Sequence, residues 1–412
     1  MQNAANAQEV GLTKGPFALL MAGLLTTAVG QSFIFAILPP LGREVQFSEL
    51  QINSIIAFSA LIFSVGSAWW GRLSDQLGRK PVILIGLFGY ACGTVLFALS
   101  FQVGLNGWLS GGKLFALVMV VRCTQSVIMS ATNPGTAAYA ADRTDRLHRT
   151  RALARLSSAS SLGLIAGPAI AGALASFGLL FPLYFAAALA AFAALAIAVG
   201  LPPDERVVRG SRDHKKLSPF DPRLRAYLLC SFMVFTGFAG IQQTLGFRLQ
   251  DMLDLSGTET VQKTGLCLMV GALCTFGMQM TVAQRFQGSP MTLIRIGSGF
   301  MLAGATAVAL ASNLGTTMAG MASMGAGLGL VVPAIAAAAS LAVSNTEQGA
   351  AAGLVTAIPA AGFVLGPLLC GSLYSMSAVV SGLAAAAILV LAVIITVLSQ
   401  TTGPATDSQP RE

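Results

Sequence analysis

The residues best placed to do chemistry in this chain surround one arginine. Residues 117–134, "LVMVVRCTQSVIMSATNP", are almost wholly apolar, yet they hold Arg122 and contain no Asp or Glu. A guanidinium does not surrender its proton in a protein. It can grip a carboxylate or phosphate through two parallel hydrogen bonds. On a helix, Gln125 and Met129 follow Arg122 at i+3 and i+7 and share its stripe. Two other runs set amides beside aromatics: Gln31 with Phe35, and Phe238 with Gln242 next to Phe235 with Gln243. Sparse polar groups among aromatics and methionines suit a pocket for a small amphiphilic organic molecule. Taken singly, each aromatic or methionine is explained by helix packing, and each glutamine by a bond to another helix.

Residue groupings for other reactions are not visible. Cys92, Cys123, Cys230, Cys267, Cys274 and Cys370 all lie in apolar runs without metal-ligand spacing. They read as small apolar side chains. His148 and His214 fall in polar stretches. The 16 acids stand at the ends of apolar runs or between them, Glu44, Asp75, Asp142 and Asp251 included. With no nucleophile–base pair and no metal cluster in view, neither an enzyme nor a cofactor or metal is expected.

Placing Arg122 requires a particular solvent around the rest of the chain. Of 412 residues, 55% are hydrophobic and 10% charged, where a soluble domain carries about 25% charged residues. Such a surface must largely face lipid. Twelve apolar runs approach or exceed the roughly 20 residues that cross a bilayer. Their limits are 16–42, 50–71, 81–101, 112–141, 152–176, 179–201, 224–249, 262–287, 290–312, 315–343, 347–374 and 377–399. The runs are continuous, which predicts helices and not barrel strands. The polar stretch before the first run lacks the pattern of a cleaved leader, so that run is expected to remain as a span. Nineteen of the 24 Lys and Arg residues fall at the N-terminus or on the side of every second loop after it. That bias predicts both termini on the cytoplasmic side of an inner (plasma) membrane. The net charge of +8 is dispersed between apolar runs, so nucleic acid is not an expected partner. The expected partners are the lipid bilayer and a small organic substrate, and the chain is expected to work as a monomer.

Inside a span, a charge is costly and faces a cavity or a partner. Arg122 has no acid in reach along its run. Gln31 and Gln125 would partner it in the empty state, and an anionic substrate in the loaded state. The structural alternative is a staple that bonds backbone carbonyls.

The spans are also repeated. "GLIAGPAIAG" from Gly163 and "GFVLGPLLCG" from Gly362 align at an offset of 199, matching Gly163, Gly167, Pro168 and Gly172 to Gly362, Gly366, Pro367 and Gly371. The same offset carries Pro134 to Pro333. Two parallel six-helix repeats follow: 1–201 and 224–412, joined by a cytoplasmic linker at 202–223. Small residues four apart let helices approach closely. A proline frees a carbonyl and weakens the helix locally. The Gly163–Gly172 face is thus both a packing surface and a place where a transporter can flex.

"GRLSDQLGRKPVILIG", residues 71–86, resembles the loop signature of the major facilitator superfamily. Gly71, Leu73, Ser74, Asp75, Gly78, Arg79 and Lys80 match Gly-x-Leu-(Ser/Ala)-Asp-x-x-Gly-Arg-(Arg/Lys) in a stretch expected to join spans two and three. "RCTQS" is similar to the family's span-four Arg-x-x-Gln-Gly motif, with Ser126 in place of Gly. "GLIAGPAIAG" resembles the span-five antiporter motif, and residues 138–168 are similar to the same region of tetracycline exporters. The resemblance is to the twelve-span drug:proton antiporter branch. It implies an all-α membrane protein with the major facilitator fold: 12 transmembrane helices in two parallel pseudo-repeats around a central cavity. It further implies secondary export of small organic molecules by alternating access, with the proton as coupling ion. Gating would fall to Asp75, placed near a helix N-terminus of the other half, to an Arg79–Asp142 pair, and to Gly163, Gly167, Pro168 and Gly172. One departure stands out. Many proton-coupled members carry an acid in span one, where this chain has Gln31 and no acid before Glu44. A substrate such as an anionic, siderophore-like metabolite is a rival to cationic drugs, and nutrient import or uniport is the rival direction.

Overall fold

The computed structural model describes residues 14–144, 149–203, 217–344 and 347–398. His148, His214 and residues 204–216 of the expected linker lie outside them. Among the described residues there is no strand. The described residues form thirteen α-helices in order: α1 (Lys14–Glu44), α2 (Glu49–Leu77), α3 (Arg79–Leu105), α4 (Gly111–Met129), α5 (Thr132–Asp142), α6 (Arg149–Leu174), α7 (Phe181–Gly200), α8 (Arg225–Leu253), α9 (Gly257–Met278), α10 (Pro290–Ala309), α11 (Leu314–Leu341), α12 (Gln348–Tyr374) and α13 (Ala378–Leu398). They supply 12 segments long and apolar enough to cross a membrane, with α4 and α5 forming one segment, Gly111–Asp142. Their outward faces suit lipid: Phe192, Leu195 and Val199 of α7 are 71%, 62% and 83% exposed.

Helix ends follow local chemistry. Ser48 caps α2 in a reciprocal box with Gln51, which satisfies free N–H donors of the first turn. Asn313 caps α11 through the Thr316 N–H. Pro134 lacks an N–H, and its ring crowds the carbonyl four residues back. The chain accordingly turns at Ser130–Ala131, dividing α4 from α5 where the sequence reads as one run. Two other limits differ from expectation. The eighth segment lies at Gly257–Ala283, earlier than 262–287. Helix α2 continues to Leu77, so Gly71–Asp75 form helix and only Gly78 separates α2 from α3. Gly78 has φ 94°, a backbone region that side chains with a Cβ rarely adopt.

The chain divides into two compact units, residues 1–211 with 242–269, and residues 212–241 with 270–412. In the first unit, α6 lies tightly on α1. A Cβ on Gly163 would stand 2.7 Å from Leu25 O and 2.9 Å from Val29 N, and one on Gly167 would stand 2.8 Å from Val29 O. Gly172 approaches Gln262 Cα of α9 to 3.2 Å by the same measure, and Gly265 of α9 abuts the Pro168 carbonyl. In the second unit, α12 lies on α8 through Gly362 and Gly366, which meet Thr236 N and Gly240 N, each at 2.9 Å.

Candidate functional site

Arg122 sits on α4 with 5% of its surface exposed. Its Nη1 donates to Gln125 Oε1 at 2.7 Å. The Gln125 amide in turn donates to Thr94 Oγ1 of α3 at 2.7 Å, and Thr94 donates to the Tyr90 carbonyl at 2.7 Å. The guanidinium carbon lies 5.5 Å from the centre of the Phe97 ring, within reach of a cation–π attraction. Each partner is neutral. Among the described residues Arg122 makes no ion pair, and its Nε has no hydrogen-bond partner. The relay through Gln125 fixes the guanidinium without cancelling its charge.

Helix spacing places these groups. Tyr90, Thr94 and Phe97 fall on one stripe of α3 at i, i+4 and i+7. Gly93 lets Gln125 lie against α3: a Cβ there would be 2.8 Å from Gln125 Cβ. Gly30 of α1 does the same for the Tyr90 hydroxyl. Tyr90, Thr94 and Phe97 escaped the sequence reading, whose searchable signal was only this i, i+4, i+7 stripe.

The other residues singled out divide by location. The Gln31 amide donates to Met129 Sδ at 3.5 Å, so it joins the Arg122 neighbourhood through Met129 and is not bonded to the arginine. Phe35 is half-buried on α1. Gln243 of α8 is 1% exposed, with neither amide atom hydrogen-bonded, and Gln242 Oε1 is likewise without a partner. Both belong to the first unit. Phe238 belongs to the second, where it packs edge-on against Phe363 of α12, centroids 6.4 Å apart.

Of the residues expected to gate, Asp75, Arg79 and Asp142 meet at the junction of α2, α3 and α5, while Gly163, Gly167, Pro168 and Gly172 lie apart on α6. Arg79 pairs with Asp75 and, through Nε at 3.1 Å, with Asp142. The neighbouring Lys80 donates to the Ala198 carbonyl at 2.8 Å and to that of Leu201, a favourable place for a cation at a helix C-terminus. Tyr139 donates to the Pro202 carbonyl at 3.0 Å and Arg143 to that of Pro203 at 2.7 Å. At the opposite end of the unit lies a cluster the sequence does not announce. Arg43 of α1 holds Glu49 at 2.9 Å and Asp251 of α8, with its guanidinium carbon 5.0 Å from the centre of the Phe247 ring. Those partners are 208 positions apart, and nothing in their spacing links them.

Known proteins resemble this arrangement. The Major Facilitator Superfamily profile matches residues 20–316. The chain is 28% identical to "Tetracycline resistance protein, class G" of Vibrio anguillarum over 381 residues, covering 88% of this chain and 90% of that protein. It is 24% identical to "Multidrug resistance protein 1" of Bacillus subtilis over 368 residues, covering 87% and 89%. Among solved structures, a bacterial homolog of the human lysosomal transporter Spinster, in an inward-facing and occupied conformation, superposes with a TM-score of 0.76 at 16% identity, covering 96% of this chain and all of that one. At that identity the likeness concerns the fold. With the profile spanning most of its length, the chain belongs to the major facilitator superfamily and is a multi-pass membrane transporter, not an enzyme.

Proposed function

We propose that this transporter exports small organic molecules bearing an anionic group, by alternating access and in exchange for protons. Arg122 carries the reading. It is a buried fixed charge, oriented by Gln125, with Phe97 beside it, no acid paired to it among the described residues, and Nε left open. An isolated intramembrane charge is expensive, and a substrate carboxylate or phosphate would offset that cost only when bound. Gln31, Phe35 and Met129 would supply the adjoining wall. Gln242 and Gln243, with open amide atoms, would orient polar parts of the ligand. The Gly-Pro motif of α6 and relatives named for drug resistance favour export over import. The working arrangement is a monomer in the inner membrane with both termini in the cytoplasm. The gate would be Asp75, Arg79 and Asp142 together with the Gly163–Gly172 face.

Purified protein challenged with matched anionic and cationic amphiphiles tests the reading. Anions should bind the wild type and lose affinity in Arg122→Ala. If cations bind unchanged in that variant and no anion binds either protein, the anionic reading falls and a cationic-drug exporter takes its place. Everted vesicles with an imposed proton gradient test direction and coupling. Accumulation that collapses with the gradient supports antiport. Amide replacements of Glu44, Asp75, Asp142 and Asp251 then separate protein-borne coupling from coupling through the substrate's own ionisable group.

A further inference from the structure

The second unit carries a groove whose lining includes none of the residues assigned above to the substrate or the gate. Phe220, Leu229 and Phe232 line it together with Ile358 of α12 and Ile395 of α13, and it holds about 550 Å³, within the roughly 300–1,000 Å³ of small-molecule pockets. Arg225 is the charged residue of its lining.

Arg225 differs from its neighbour. Arg223 is neutralised by Asp221 at 2.9 Å and Glu347 at 3.1 Å. Among the described residues no acid pairs with Arg225. It is also the first residue of α8, whose first turn holds no acid. A cation there stands at the positive end of the helix dipole. Both circumstances are unfavourable for Arg225 alone and favourable once an anion joins it.

The groove also has a depth. At about 1.5 Å of rise per residue, Phe232 lies about 10 Å along α8 from Arg225, and Ile358 about 15 Å along α12 from its start. One leaflet contributes about half of a hydrocarbon core roughly 30 Å thick. An apolar channel of that length would cross most of one leaflet and would set Arg225 at headgroup level. Phe220, 85% exposed, stands beside that cation, at the level where aromatic rings favour the membrane interface.

We propose that this groove binds an anionic glycerophospholipid, its phosphate on Arg225 and one acyl chain along Leu229, Phe232, Ile358 and Ile395. A phosphatidylcholine chain fits the same walls, but its headgroup brings a second cation beside Arg225.

The full-length protein, delipidated in detergent, is offered dioleoylphosphatidylglycerol or dioleoylphosphatidylcholine, and retained lipid is counted by native mass spectrometry alongside thermal melting. The wild type should prefer phosphatidylglycerol by about fivefold, the order of one arginine's pull on an anionic lipid. Arg225→Gln should lose that preference while melting unchanged without lipid. Leu229→Trp, at a lipid-facing position, should fill the groove and lower retention of both lipids. A preference that survives Arg225→Gln, retention that survives Leu229→Trp, or an equal melting shift from inorganic phosphate alone would each overturn the proposal.

Discussion

Helices α4 and α11 occupy equivalent places in the two repeats, and they use those places differently. At the offset of 199, Pro134 answers to Pro333 and Ser126 to Gly325, while Arg122 and Gln125 answer to Met321 and Met324. Both methionines are buried, 2% and 0% exposed. The likeness extends to the neighbouring helix. Gln125 lies over Gly93 of α3, and Met324 lies over Gly304 of α10, where a Cβ would stand 2.7 Å from Met324 Cγ. Around those glycines the first repeat places Tyr90, Thr94 and Phe97, and the second places Met301, Ala305 and Val308 at the same spacings. One backbone scaffold thus carries a polar relay in one copy and an apolar core in the other. The repeat accounts for the packing and leaves the chemistry to a few substituted side chains.

The sharpest way to break this comparison is Arg122→Met, which gives α4 the residue of α11. Truncating one partner of a buried, hydrogen-bonded charge contact costs about 2–5 kcal/mol of binding. Anionic ligands should therefore bind at least about 30-fold more weakly. Melting of the ligand-free protein should change little, because the variant removes a buried charge that makes no ion pair among the described residues but also takes the donor from Gln125 Oε1. Arg122→Lys should recover little, since an ammonium lacks the planar fork. Equilibrium binding and thermal melting of the three proteins decide it. A large melting loss with intact binding would make Arg122 a staple.

The reverse exchange has a built-in control. Met324→Gln puts an amide over Gly304, where the residue equivalent to Thr94 is Ala305, which has no hydroxyl. An unsatisfied buried amide costs about 1–3 kcal/mol in proteins, which lowers the melting temperature. Adding Ala305→Thr should restore part of that loss by supplying the acceptor that Thr94 gives Gln125. If the double variant is no better than the single one, the equivalence of α3 with α10 does not extend to side-chain geometry.

Much of this was legible from sequence because it depends on period and offset. Twelve apolar runs fix the helices, and glycines and prolines at one offset fix the α6 and α12 seams. The pairing of α3 with α10 was hidden: the two share no motif, and Gly93-Thr94 against Gly304-Ala305 is too slight a match to notice. The relay partners of Arg122 were hidden for the same reason, as Tyr90, Thr94 and Phe97 look like ordinary residues of an apolar span. Arg43 and Asp251 meet only through folding, so no local pattern joins them. Even the loop signature was read as loop, because its polar residues resemble a connection. In the structure Gly71–Asp75 lie in the last turns of α2, Arg79 and Lys80 begin α3, and Gly78, at positive φ, separates the two helices.

The glycine seams extend the comparison to backbone packing. At Gly366, a Cβ would collide with the Thr236 carbonyl and lie 2.9 Å from Gly240 N, both backbone atoms. At Gly167 the nearest obstacle is the Ser32 hydroxyl, although Val29 O lies behind it at 2.8 Å. A side chain can rotate where a backbone cannot. Overpacking costs typically about 1–3 kcal/mol, so Gly366→Ala should sit toward the upper end of that range and Gly167→Ala toward the lower. Melting of the two variants in one detergent ranks them, and equal losses would show that Ser32 has no room to turn.

The smallest expected difference lies at the junctions where an even-numbered span leads to an odd one. There each compact unit places an arginine between two carboxylates. Arg79 holds Asp75 and Asp142 with its side chain 16% exposed, while Arg223 holds Asp221 and Glu347 at 45%. The more solvated pair is the more screened and contributes less. Hydrogen bonds from Arg223, then from Ser344, pull the Glu347 carboxyl down to about 2. Its depressed value in the folded protein gives a stabilisation that is full above the ordinary carboxylate range and disappears as pH falls toward 2. Glu347→Gln should therefore melt slightly below the wild type at neutral pH. The gap should narrow from about pH 4.5, close near pH 2, and shrink in high salt. A gap that stays constant across that range would mean that Glu347 contributes through the Ser344 turn and not through its charge on Arg223.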